Sequence, residues 1–273
     1  MVENRGMRLN IDGAQFDVLD QGDGPACLLL HGFPLAKETW DAQAAALSLR
    51  ARVVRFDLRG LGTTSATPGP YLMEALAGDV LEILDALGIE RATLIGHSLG
   101  GYVALAFFRM FAERCAGLGF VCSRAGADDA EQAANRRALA DRVELEGTAA
   151  LIEAFVPRYF APEVYRERPD LVARASAIVA RTNPSGAAAM LRGMAERLDS
   201  QDIFAEMHLP VHVVGGSKDT FVAEDQARAI AEGVEGAEYD LLECGHFPLY
   251  EAPGALTASL ERLLARTASL EPT

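Results

Sequence analysis

Ile95-Gly96-His97-Ser98-Leu99-Gly100-Gly101 decides how this chain is read. It follows the short apolar run Ala92–Ile95 and opens the apolar helical pattern Gly100–Phe111, so it occupies a strand-to-helix turn. A serine at such a turn takes a strained backbone conformation, and the turn pushes its hydroxyl clear of the chain. Side chains two residues to either side would collide, so both places need glycine; Gly96 and Gly100 supply it. Ser98 is therefore the candidate nucleophile. The Leu99 amide, at the helix start, points toward a developing oxyanion.

A serine hydroxyl needs a base. Of the five histidines, His246 lies just past the run Glu238–Leu242, in Gly245-His246-Phe247-Pro248. In a parallel sheet every loop that follows a strand opens at the same edge, which brings His246 to the edge of Ser98. His97 is adjacent in sequence but should point away at a tight turn, and His31 reads as structural. A carboxylate must fix the base's tautomer. Asp219 follows the strand pattern Val211–Val214 and precedes His246, giving the order Ser98, Asp219, His246. Asp57 is a weaker rival, since nearby Arg59 suggests a structural pairing within its loop. For a second oxyanion donor, His31-Gly32-Phe33-Pro34 leaves a strand at the same edge; Pro34 has no N–H, so the Phe33 amide is the natural choice.

Outward from these residues the pattern alternates. Met7–Ile11 and Gln15–Leu19 read as an opening hairpin and Ala26–Leu30 as a strand buried on both faces. Trp40–Leu49 reads as a helix, Arg52–Phe56 as a strand, Tyr71–Leu87 as an amphipathic helix stopped by Gly88, and Gly117–Cys122 as a strand. From Arg124 to Met207 strand signals vanish, and the sequence predicts about four helices, with Asp128 or Asp129 as a cap and Asn183-Pro184 opening the last. The alternation resumes with Val211–Val214, Ala223–Glu232, Glu238–Leu242 and Pro253–Arg266. The expected fold is α/β: a mostly parallel eight-stranded sheet flanked by helices. Residues 1–123 and 208–273 would form the core and 124–207 an inserted helical cap. Apolar positions that could line a pocket are Trp40, Phe155, Met190, Met194 and Phe247, although Trp40 suits core packing equally.

The 273 residues carry a net charge of −14. So acidic a chain repels phosphate backbones and anionic membrane surfaces, which argues against nucleic-acid and membrane partners. The four cysteines form neither a CxxC pair nor a zinc spacing, and His208-x-x-x-His212 has a proline at a strand entrance between its histidines, so no metal site is expected. The polar N-terminus lacks a signal core, and the expectation is a cytoplasmic protein, monomer or homodimer.

Taken together, His31-Gly32-Phe33-Pro34, Asp57-Leu58-Arg59-Gly60-Leu61-Gly62, Gly96-His97-Ser98-Leu99-Gly100-Gly101, Asp219 and Gly245-His246-Phe247-Pro248 resemble the serine-hydrolase branch of the α/β-hydrolase superfamily along nearly the whole chain. Within it the sequence looks most like the carboxylesterase and 3-oxoadipate enol-lactonase-like group. Leu61 stands where relatives often carry histidine, and Thr63-Thr64 where they often carry Arg-Ser. The resemblance implies the α/β-hydrolase fold, a triad of Ser98, Asp219 and His246, oxyanion amides at Phe33 and Leu99, no cofactor, and hydrolysis of a small-molecule ester or lactone through an acyl-serine. Relatives with similar sites also perform C–C hydrolysis, perhydrolysis or cofactor-free oxygenation, and a ligand-sensing role is a further alternative. Haloalkane dehalogenases and epoxide hydrolases use an aspartate nucleophile, which Ser98 argues against.

Overall fold

Continuous apolar runs become the central strands, and the alternating segments become the edge. The structure, a computed structural model, describes residues 5–269. In chain order, β1 (Met7–Ile11) and β2 (Ala14–Gln21) form the opening hairpin, and β3 is Ala26–Leu30. A 3₁₀ turn over Lys37–Trp40 leads into α1 (Asp41–Leu47). Then come β4 (Arg52–Arg55), α2 (Met73–Ala86), β5 (Ala92–His97), α3 (Leu99–Phe111) and β6 (Cys115–Val121). The inserted stretch holds α4 (Ala130–Glu146), α5 (Thr148–Phe155), α6 (Val164–Glu167), α7 (Pro169–Ala180) and α8 (Pro184–Ala195). The chain closes with β7 (Val211–Gly216), α9 (Glu224–Gly233), β8 (Glu238–Leu242), α10 (Pro248–Glu251) and α11 (Pro253–Ala268).

The strands form one eight-stranded sheet in the order β1-β2-β4-β3-β5-β6-β7-β8. β2 runs antiparallel to β1 and β4, and the remaining neighbours are parallel. Every residue of β5 and β7 is buried, as strands covered by helices on both faces must be, whereas β2 alternates buried and partly exposed positions. The chain passes from β4 on one side of β3 to β5 on the other. That reversal of strand order leaves a crevice at the carboxyl ends of β3 and β5. Leu30 is opposite Gly96, His97 opposite Val121, Val121 opposite Val214 and Gly216 opposite Leu242, so the loops after β3, β5, β6, β7 and β8 leave the sheet together.

Five α-helices, not four, fill the insertion. Gly147, at φ 70°, ends α4 and starts α5, and Pro169 opens α7 directly behind the one-turn α6. Of the two aspartates, Asp129 is the cap: it accepts from Gln132 N at 2.8 Å in a capping box. Asn183 accepts from Gly186 N at 3.1 Å and caps α8 as its sequence predicts. A Cβ at Gly186 or Gly193 would run into the backbone of Gly60 or Tyr71, so α8 lies directly on the loop between β4 and α2. Sequence patterning puts the start of β6 two residues late, at Gly117, because glycines dilute its apolar signal. The short α10 leaves no trace in the pattern, a single turn being too brief for a periodic signal. Among the described residues no helix is long and apolar enough to cross a membrane.

Candidate active site

Ser98 has φ 49° and ψ −110°, the left-handed half of conformational space that a non-glycine residue enters only under constraint. The constraint is visible in its neighbours. The Ser98 amide donates to Val121 O at 2.9 Å, and Ser123 Oγ donates to the Ser98 carbonyl at 2.9 Å. A Cβ on Gly96 would strike the Gly100 carbonyl, and one on Gly100 would strike the Leu30 carbonyl. The turn is thus wedged between β3, β5 and β6.

Asp219 and His246 meet at 2.7 Å, Asp219 Oδ2 to His246 Nδ1, and both side chains are buried. The other Asp219 oxygen accepts the amides of Phe221 (2.7 Å) and Val222 (3.1 Å). Burial alone would raise the carboxyl pKa, but His246 and these two amides outweigh it and leave it below the ordinary carboxylate range. Ionised, Asp219 can only accept, so Nδ1 of His246 carries the proton and Nε2 is left as the acceptor. Ser98 and His246 line one cavity with Phe33, Phe155 and Met194. Tyr102, Arg124, Arg136, Phe221 and Val222 complete its wall. The amides of Phe33 and Leu99 are not taken up by any carbonyl among the described residues, Leu99 because the first turn of a helix leaves its N–H groups open.

The loops are held from behind. His97 donates from Nε2 to the His246 carbonyl at 2.8 Å and stacks on Phe247. Burial and the adjacent His246 push its pKa down to about 3, so it stays neutral and supports the His246 loop. His31 bonds the Gly32 carbonyl through Nδ1 and accepts the Leu58 amide through Nε2, a structural role. Glu251, from α10, accepts the Gly245 amide (3.0 Å) and the Ala161 amide (2.8 Å), tying the His246 loop to the insertion. Tyr159 donates to the Phe33 carbonyl at 3.2 Å and Thr182 to that of Pro34 at 3.2 Å.

Three residues expected as pocket candidates lie elsewhere. Trp40 is fully enclosed in the core, Met190 sits on the buried face of α8, and Phe247 is stacked on His97 with the Tyr250 ring tilted against it. The partner of Asp57 also differs from expectation: Lys37 bonds it at 2.6 Å, while Arg59 pairs with Asp79. Tyr102 was legible in principle, one helical turn after Ser98 and hence on the same face. Arg136, one of several arginines in the Ala-, Arg- and Glu-rich α4, carried no such signal. Among the described residues the one three-donor group that could hold a metal is Cys122, Asp219 and His246. Its carboxylate and imidazole are already bonded to each other, and burial, with Asp219 beside it, holds the Cys122 thiol protonated.

The sequence profile described as the alpha/beta hydrolase fold matches residues 25–253. The chain belongs to the α/β-hydrolase fold family. Among curated α/β hydrolases it is similar to 3-oxoadipate enol-lactonase 2 of Acinetobacter baylyi, 27% identical over 246 residues covering 90% of this chain and 91% of that protein. Among solved members it is similar to a thermophilic esterase from Thermogutta terrifontis, determined with malate bound, at 32% identity and TM-score 0.93 over 97% of this chain and 99% of that one. It is also similar to the enol-lactonase of Burkholderia xenovorans, at 28% identity and TM-score 0.89 over 95% of this chain and all of that one (100%).

Proposed function

We propose that this α/β hydrolase cleaves a carboxylic ester or lactone of a small molecule through an acyl-serine intermediate on Ser98. His246 Nε2 removes the Ser98 proton as the oxygen attacks the carbonyl carbon, and Asp219 stabilises the imidazolium that forms. The Phe33 and Leu99 amides hold the oxyanion, a contribution worth about 10²–10³ in rate per donor. The imidazolium then protonates the leaving alcohol. Water, deprotonated by the same imidazole, attacks the acyl-enzyme and releases the acid. The insertion over residues 124–207 acts as the cap: it contributes Phe155 and Met194 to the cavity wall and bonds the Phe33 and His246 loops.

The observation that carries this reading is the buried Asp219–His246 pair, opening onto the same cavity as a serine at a strained turn. The likeness to enol-lactonases and an esterase over nearly the full chain favours ester and lactone bonds. Hydrolysis of p-nitrophenyl butyrate by wild type and Ser98→Ala tests it. Turnover should fall by about 10⁵–10⁶ in the variant, leaving the residual rate that binding and the oxyanion amides supply. A variant that retains wild-type turnover would show that the bond is broken without Ser98.

A further inference from the structure

Residues 158–161 of the insertion touch all three loops that carry the proposed acid, base and outer oxyanion donor. Arg158 donates from Nη2 to the Thr220 carbonyl at 2.5 Å and lies 4.1 Å over the Phe221 ring, both in the loop of Asp219. The Ala161 amide donates to Glu251, which also holds the Gly245 amide in the loop of His246. Between them stands Tyr159, whose hydroxyl donates to the Phe33 carbonyl at 3.2 Å. The Tyr159 ring is 6.0 Å from that of Phe221, two residues past Asp219, and 5.6 Å from that of Phe247, next to His246. Both spacings are those of packed aromatic pairs. One side chain therefore joins the three loops.

The Phe33 loop leans on the core at one end and on the insertion at the other. The Phe33 N–H shares a planar peptide with the Gly32 carbonyl. Within the core that carbonyl is bonded by the Leu35 amide at 3.0 Å and by His31 Nδ1 at 2.8 Å. The next two carbonyls, of Phe33 and Pro34, accept only from the insertion among the described residues, from Tyr159 and Thr182. The torsion that follows the oxyanion amide is thus set by Tyr159. Tyr159 is itself buried, and the Phe33 carbonyl is the one hydrogen-bond partner of its side chain among the described residues. Burial pushes its pKa well up, so the hydroxyl keeps its proton and donates. A ring alone would fill this space; a buried hydroxyl costs desolvation, which the bond to Phe33 offsets.

We propose that Tyr159 is a positioning residue for the hydrolysis: its hydroxyl sets the Phe33 oxyanion amide while its ring braces the loops of Asp219 and His246, so the seating of the insertion and the alignment of the site are one event. Tyr159 touches no reacting atom and acts through the Phe33 peptide. A donor has to be aimed at the place where the oxyanion forms, and a small misplacement is costly in rate. The inference rests on the hydrolytic reading of Ser98 and adds to it a dependence on the insertion.

Tyr159→Phe keeps the ring and removes only the donor. With p-nitrophenyl butyrate, kcat should fall at least about tenfold while KM stays within about threefold, because the Phe33 amide acts on the oxyanion and not on the bound ester. Inhibition by 1,1,1-trifluoro-2-hexanone, whose adduct with Ser98 carries an oxyanion, should weaken by about the same factor as kcat/KM. That inhibition constant does not depend on how much of the sample is folded, so a variant that is merely less stable leaves it unchanged. Replacing Tyr159 by 4-aminophenylalanine, which restores an N–H donor on the same ring, should bring both values back to within about threefold of wild type, and 4-fluorophenylalanine, which has no donor, should not. This second pair decides the matter where Tyr159→Phe fails to fold. Equal inhibition constants in wild type and Tyr159→Phe, or in the two substituted phenylalanines, overturn the role of Tyr159 and leave the hydrolase standing. Ester turnover that survives Ser98→Ala, or a wild-type protein that turns over no ester, removes the hydrolytic reading and this inference with it.

Discussion

Both oxygens of Asp219 are occupied, one by two backbone amides and the other by His246. No freedom remains for the imidazole to choose its tautomer. Replacing Asp219 by Asn keeps the shape and the two amide bonds but puts a neutral amide against Nδ1. The imidazole can then keep its proton on Nε2, where it cannot act as a base. Asp219→Asn should lower kcat by about 10³–10⁴ with little change in KM, measured by steady-state kinetics near neutral pH. A variant within threefold of wild type would mean that Asp219 does not orient the base. At this scale the residues to which we assign the chemistry were legible as candidates, because each stands next to a strand end. Those that hold them were not. His97 lies beside Ser98 in sequence but acts on the carbonyl of His246, 149 positions away, and only the folded sheet brings the two together. Glu251 is likewise an unremarkable acid in a helical pattern until the fold places it under the Gly245 amide.

The element that concentrates the site is the β5-to-α3 turn. Gly96 and Gly100 face backbone, not flexible side chains: the Gly100 position looks onto the Leu30 carbonyl, and β3 cannot retreat without losing its register with β4 and β5. Gly100→Ala should cost at least about 3 kcal/mol in chemical denaturation or abolish soluble protein. A cost under about 1 kcal/mol would show that the turn has room the packing denies it. A continuous apolar run announced β3, and short, mainly apolar segments announced β5 and β7, since a strand covered on both faces has little polar side to confuse the pattern. The insertion was harder to read. Its helices were visible as a block, but their number depended on the breaks at Gly147 and Pro169, and which of their faces meets the cavity depended on how α8 seats on Gly60 and Tyr71. That is why Phe155 and Met194 reach the cavity while Met190, four residues before Met194, packs into the core.

For the molecule as a whole, the candidate site is a meeting of strand ends, so its integrity follows the integrity of the sheet. Several loops at that edge are pinned by buried carboxylates. Asp57, after β4, accepts from the Lys37 amide and ammonium and from Thr63. Burial would raise its pKa, but His31 and Lys37 outweigh burial and lower it. In the unfolded chain it titrates near pH 4. Because its folded value lies below that, its contribution to stability is full above about pH 4 and is lost as the pH falls through the folded value. Asp128 and Asp219 act in the same direction. Asp79 and Glu251, whose pKa values are raised by burial, act in the opposite one. Asp57→Asn should therefore flatten the acid side of a plot of denaturation midpoint against pH between about pH 5 and 2, besides lowering stability at neutral pH. An unchanged acid slope would mean that Asp57 titrates alike in both states.

In the proposed mechanism the strained turn, the buried Asp219–His246 pair and the open amides of Phe33 and Leu99 all serve one covalent bond at Ser98, and trapping that bond is the most direct test. The protein is incubated with a p-nitrophenyl alkylphosphonate while ester hydrolysis is followed, then examined by intact-mass spectrometry and peptide mapping. One phosphonyl group per chain, carried on Ser98 and appearing in step with the loss of activity, is the expected result. Complete inactivation with Ser98 unmodified, or ester turnover by a protein that accepts no phosphonyl group, would contradict the acyl-serine mechanism.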